Sequence, residues 1–252
     1  MRIYINNNVD KTGIYNLFGI PVKLNELISK DDISLSSVID RVHVVFPKYI
    51  ANTIKSSSLL SSIEVGNFEI LNKKYMQALY DNNVMYVSNE PYNETYMSED
   101  IMHEMFHILE KIYNANIYSD GQLIREFLVK RQQLLNMLES SLIGNQTVFQ
   151  MFGNEWSQMR KLFFDANYSN DFDNLLLNDI GYECLNYFVP YIFADVYSAT
   201  SVREYFVSGC EQFYFKDVAD LKRSSPILYK KIKQIDALML QNQQGNSALS
   251  EF

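Results

Sequence analysis

Hydrophobic positions change rhythm along this chain. Over residues 1–38 short apolar runs alternate with polar ones, and Gly13, Gly19, Pro21 and the Ser34-Leu35-Ser36-Ser37 cluster break any long period. That pattern predicts a small N-terminal appendage. Val42-His43-Val44-Val45-Phe46 is short, β-branched and stopped by Pro47, which predicts a buried strand, with a helix over 49–60 after it. Across 72–82 Tyr75, Met76, Leu79 and Tyr80 form a helical stripe. Asp81-Asn82-Asn83 then turns the chain into a second strand, Val84-Met85-Tyr86-Val87.

From Ser98 the period is helical almost to the end. Ser98 reads as an N-cap, with Glu99 and Asp100 in the first turn and Met102, Met105, Phe106, Leu109 and Tyr113 on the apolar side. Amphipathic stretches follow over 123–138, 148–164 and 172–194, the last interrupted by Pro190. Helices over 201–215 and 226–240 close the domain, the second opened by Ser224-Ser225-Pro226. Residues 241–252 are polar and predict a frayed, flexible tail.

Composition narrows the class. With 47% hydrophobic, 14% aromatic and 21% charged residues, the chain is neither disordered nor collagen-like. Its net charge of -8 offers no electrostatic footprint for nucleic acid. Cys184 and Cys210 are too few for a disulfide scaffold and lack thiolate-site spacing, so both are expected as buried thiols. The residues after Met1-Arg2 lack the apolar core of an export signal. The longest apolar stretch, 185–196, contains Asn186, Pro190 and Asp195, which predicts no membrane span. The expected setting is cytoplasmic, or delivery by a specialised route such as injection or packaging in a particle.

One motif carries chemistry. His103-Glu104-Met105-Phe106-His107 is H-E-x-x-H inside a predicted helix. Four residues make about one helical turn, so both imidazoles project from one face and can bind one Zn²⁺, with Glu104 placed to take a proton from water. His43 is expected to be structural. A catalytic zinc needs a third protein ligand. The helix beginning near Ser201 presents Glu204, Ser208 and Glu211 on one face, so either glutamate is a candidate.

These residues, together with Tyr197 and Glu204-Tyr205-Phe206, resemble the catalytic domain of anthrax toxin lethal factor and the related proline-proline endopeptidases. In that family a tyrosine precedes, by seven residues, a glutamate followed by two aromatics. Lys74 to Val84, Val44-Val45-Phe46-Pro47 and Ser225-Pro226-Ile227-Leu228-Tyr229 also resemble family segments, over about residues 40 to 240. The resemblance implies zinc ligation by His103, His107 and Glu204, Glu104 as general base, and Tyr197 as hydrogen-bond donor to the oxyanion.

The chain also departs from the family. Ser208 stands where a further acidic residue is usual, so the carboxylate that would orient a histidine is missing or is supplied by Glu211. The stretch from Val87 to Ser98 is short where the family has an additional edge strand, and 115–194 is longer than the family's connection. The expectation is an α+β, mostly helical fold, with a small sheet packed over the H-E-x-x-H helix, a helical insertion at about 115–194 and a C-terminal helical region. Residues 39–240 would form a zinc metalloendopeptidase domain acting on a protein or peptide substrate, with a protein partner accommodated at the insertion. The competing expectation is a catalytically degenerate protease fold serving as a binding or assembly component.

Overall fold

A computed structural model describes residues 13–30, 33–74 and 76–249. The fold is α+β and mostly helical, with one mixed five-stranded sheet. The chain divides into two compact units, Met1–Ile112 with Met239–Phe252, and Tyr113–Leu238.

In the first unit, β1 (Gly13–Leu17) and β2 (Ile20–Leu24) form a hairpin whose turn residues Phe18 and Gly19 both have positive φ, as tight hairpin turns favour. Helices α1 (Leu35–Val45) and α2 (Lys48–Ser56) lead to β3 (Ser62–Gly66), which runs parallel to β2. After α3 (Glu69–Lys74), β4 (Ala78–Asp81) turns through Asn82 and Asn83, also at positive φ, into β5 (Val84–Ser88). β5 lies parallel to β3, and the order β1-β2-β3-β5-β4 puts β4 at an edge. Helix α4 (Glu94–Ile112) packs against α1, α2, β4 and β5, burying Met97, Ile101, Met105 and Ile108.

Several sequence expectations change here. Val42 to Phe46 is not a strand: Leu35, Val38, Ile39 and Val42 form one buried helical stripe, while Val44 is 85% exposed. Burial of that stripe outweighs the strand preference of β-branched residues. The helix expected over 72–82 ends by Lys74, and Leu79 and Tyr80 lie in β4, paired with Tyr86 and Met85. Tyr75, which completed that stripe, lies outside the described residues. The central strand β3 was not anticipated, because only Ile63 and Val65 mark its buried face. Residues 13–24, placed by sequence in an appendage, are two strands of the sheet with Leu17, Ile20, Val22 and Leu24 buried. Residues 1–12 lie outside the described residues.

The second unit begins with α5 (Asn114–Tyr118) and α6 (Gln122–Ser140), then a short hairpin of β6 (Leu142–Ile143) and β7 (Gln146–Thr147). Short helices follow: α7 (Val148–Phe152), α8 (Trp156–Met159), α9 (Asn170–Asn174) and α10 (Tyr182–Leu185). Gly153 and Gly181, both at positive φ, divide the helices expected over 148–164 and 172–194, and the break at Pro190 falls where the sequence placed it. α11 (Val202–Phe215), α12 (Val218–Ser224) and α13 (Pro226–Leu249) complete the chain. α13 runs through 241–249, where a frayed tail was expected; residues 250–252 lie outside the described residues.

Phe127, Trp156, Phe163, Phe172 and Phe206 are among the fully buried side chains of this unit. Neither cysteine forms a disulfide, and Cys210 is buried; Cys184 is only partly so, contrary to expectation. Among the described residues no helix is long and apolar enough to cross a membrane.

Candidate metal centre

Helix α4 is capped one turn earlier than the sequence suggested. The Asn93 Oδ1 accepts from the Tyr96 N–H at 2.9 Å, and Ser98 lies inside the helix, buried, its hydroxyl donating to the Glu94 carbonyl at 2.7 Å. A polar Asn ahead of Glu94 competes with Ser98 for the cap, and it wins because Ser98 faces the core. One turn of α4 then separates His103 from His107, and their ring centroids are 4.9 Å apart. Glu104 is buried, and its Oε2 accepts the Tyr80 N–H of β4 at 2.7 Å. Ser88 N–H donates to the Gln77 carbonyl across β4 and β5. In an antiparallel ladder alternate residues turn outward, so Tyr80 presents its N–H on the free edge, where Glu104 takes it.

In the second unit Ser201 caps α11, its hydroxyl accepting the Glu204 N–H at 3.1 Å, which sets Glu204 in the first helical turn. Tyr197 opens the 3₁₀ turn Tyr197–Ala199 just before that cap. This turn is braced locally: Ser198 N–H donates to Asp195 Oδ1 at 2.6 Å, and the Thr200 hydroxyl donates to the Tyr197 carbonyl at 2.7 Å. Glu204 also raises the pKa of Tyr168, though only after larger effects. Burial comes first, then the charge and hydrogen bond of Asp173, and together they push the phenol up to about 12.

His103, His107 and Glu204 each offer one ligand atom, and these atoms lie within 4.8 Å of one another, so the group could hold a metal ion. Two imidazoles and one carboxylate are the donor set of a catalytic zinc that keeps an open position. Among the described residues this group includes Glu204 and excludes Glu211 and His43. His43 lies on α1 instead and packs edge-on against Phe18, with centroids 4.4 Å apart.

Comparison with known proteins returns no matching family model and no matching curated protein. The donor group therefore stands on its own chemistry.

Sequence reasoning passed over two residues on α6. Arg131 is completely buried, and Lys130 is only 6% exposed. The signal was present: the buried stripe Leu123, Phe127, Leu134 and Leu138 places positions 130 and 131 on the core side of the helix, where a charged residue has to be paired.

Proposed function

We propose that this chain is a zinc-dependent endopeptidase, of the kind the lethal factor resemblance implies, with His103, His107 and Glu204 as the zinc ligands. The observation that carries this reading is that the H-E-x-x-H histidines share one ligand group with a glutamate some hundred residues later in sequence. Bound there, zinc would supply Lewis acidity toward a carbonyl and lower the pKa of water.

The chain's own residues account for the rest of the reaction. Glu104, buried and held through Oε2 by the Tyr80 N–H, has a fixed orientation. Its carboxylate takes a proton from the attacking water and returns it to the leaving amine. Tyr197, on its braced turn, donates its hydroxyl to the developing oxyanion. An extended peptide fits this arrangement because β4 is an edge strand whose outward backbone groups, other than the Tyr80 N–H that Glu104 takes, can pair with another strand. The edge thus comes from β4, ahead of β5, and not from the short segment between β5 and α4.

Zinc content and cleavage of a mixed peptide library, measured together on three proteins, test the reading. Wild type should hold about one zinc per chain and cleave. Glu104→Ala should keep the zinc and lose turnover, and Glu204→Ala should lose most of the metal. A folded wild type that takes up no zinc, or a Glu104→Ala variant that cleaves undiminished, overturns it. Stoichiometric zinc without any cleavage would favour the degenerate, partner-binding alternative.

A further inference from the structure

The second unit contains a cation that the proposed mechanism does not use. Arg131, at the middle of α6, is fully buried, and its guanidinium has no carboxylate hydrogen-bonded to it among the described interactions; its hydrogen bonds go to main-chain carbonyls. Nε donates to Ala199 O at 2.8 Å and Nη2 donates to Thr200 O. Nη1 donates to Leu162 O at 3.1 Å and to Asp165 O. Phe172 and Phe127 pack on the guanidinium at 3.9 and 4.7 Å from their ring centroids. One planar group thus ties together two chain segments, 162–165 and 199–200. The Val202 N–H, donating to Ala166 O at 2.8 Å, joins the same two segments a second time.

What this fork holds is the turn between Tyr197 and Glu204. Ala199 is the last residue of the turn that Tyr197 opens, Thr200 bonds back to the Tyr197 carbonyl, and Ser201 caps the helix whose first turn carries Glu204. Lys130 extends the hold to the other side of Tyr197, since its Nζ donates to Ile192 O. A core could satisfy these carbonyls with less expensive groups than a buried cation, whose desolvation is costly. The rigid five-donor geometry of arginine is what a lysine or a neutral side chain lacks.

We infer that Arg131 is a positioning residue for the metal centre: it presets the 197–204 turn, so that Glu204 is already in place before zinc arrives. This inference rests on the proposed zinc ligation by Glu204.

Zinc affinity, measured by competition with a chromophoric chelator, and the visible spectrum of the Co²⁺-substituted protein test it. The proteins compared are wild type, Arg131→Lys and Leu134→Ala. Leu134 is a buried residue of the same helix that takes no part in the clamp, so it controls for loss of stability alone. Arg131→Lys should bind zinc about 10- to 100-fold more weakly, as loss of an outer-shell support does, and should show an altered Co²⁺ spectrum. Leu134→Ala should match wild type in both. Equal affinity in wild type and Arg131→Lys overturns the inference while leaving the zinc reading intact, as does an equal loss in Leu134→Ala. Absence of zinc binding by wild type overturns both.

Hydrogen exchange on wild type alone provides a measurement that does not depend on a variant folding. Amides of 199–204 should be as protected without zinc as with it. Protection that arises only on zinc loading would mean that the metal orders the turn and Arg131 does not.

Discussion

At the scale of single residues, the neighbours Lys130 and Arg131 show what it costs to place charge in a core. Burial pushes Arg131 down to about 9, opposed by the Asp165 charge, so it stays cationic at neutral pH. Lys130 is pushed down to about 8, chiefly by burial; the Glu126 carboxylate opposes that shift, and the Phe193 and Tyr205 rings flank the ammonium. An unfolded lysine titrates near 10.5, so between about 8 and 10.5 the unfolded chain binds more protons than the folded one. Stability must therefore rise as pH climbs through 8, since the burial penalty is complete below that value and relieved above it. The gain from pH 7 to 9.5 is about 2 kcal/mol for this group. Urea unfolding of wild type and Lys130→Met across that range should show wild type gaining this much relative to the variant. Arg131 is common to both proteins, so the difference isolates Lys130, and parallel stability curves would refute its buried, depressed state.

At the scale of elements, α11 and α13 meet at a glycine. A Cβ added to Gly209 would stand 2.5 Å from Leu228 Cδ2 and 2.8 Å from its Cγ, and Leu228 is buried. Helix propensity alone would favour alanine by about 1 kcal/mol, but overpacking against the buried Leu228 side chain costs about 1–3 kcal/mol and decides the sign. Gly209→Ala should lower the melting temperature, and Leu228→Ala in the same protein should recover part of the loss. Simple additivity of the two substitutions would show that the contact is not what sets the cost.

Elements also show how far sequence pattern reaches. α4, α6 and α11 were legible because each carries a long apolar stripe, and α11 has the Ser201 cap that the pattern announces. The turn at Asn82 and Asn83 and the strand β5 were legible from turn chemistry. β3 and β4 were not, because strands of four or five residues take their identity from neighbours in the sheet, and Leu79 and Tyr80 suit a helical stripe equally well. α1 was misread for the converse reason, the three valines of Val42 to Phe46 suggesting a strand until burial of Leu35, Val38, Ile39 and Val42 is counted together. At the site, the H-E-x-x-H spacing revealed His103, Glu104 and His107. The residues alone left Glu204 and Glu211 open and only the resemblance favoured Glu204; it is Glu204 that shares a possible metal-holding group with the two histidines. The carbonyl clamp of Arg131 has no motif, since its partners are backbone atoms.

At the scale of the whole molecule, metal binding should appear as stability. A ligand that binds only the folded chain stabilises it by RT ln(1 + [L]/Kd), about 2.7 kcal/mol at a hundred times Kd. For a chain of 252 residues this corresponds to a rise of about 5–10 °C in melting temperature. The acidic net charge of -8 favours cation uptake in general, so a rise on adding zinc is not by itself specific. Specificity comes from the comparison: Glu204→Ala and wild type differ by one charge but should differ fully in response, wild type losing the increment on chelation and the variant showing little change in either state. Magnesium at the same concentration should give wild type no comparable rise, because two imidazoles suit zinc and not a hard, oxygen-seeking ion. A melting curve that responds equally to both metals, or equally in Glu204→Ala, would assign the effect to diffuse surface charge and remove His103, His107 and Glu204 from it.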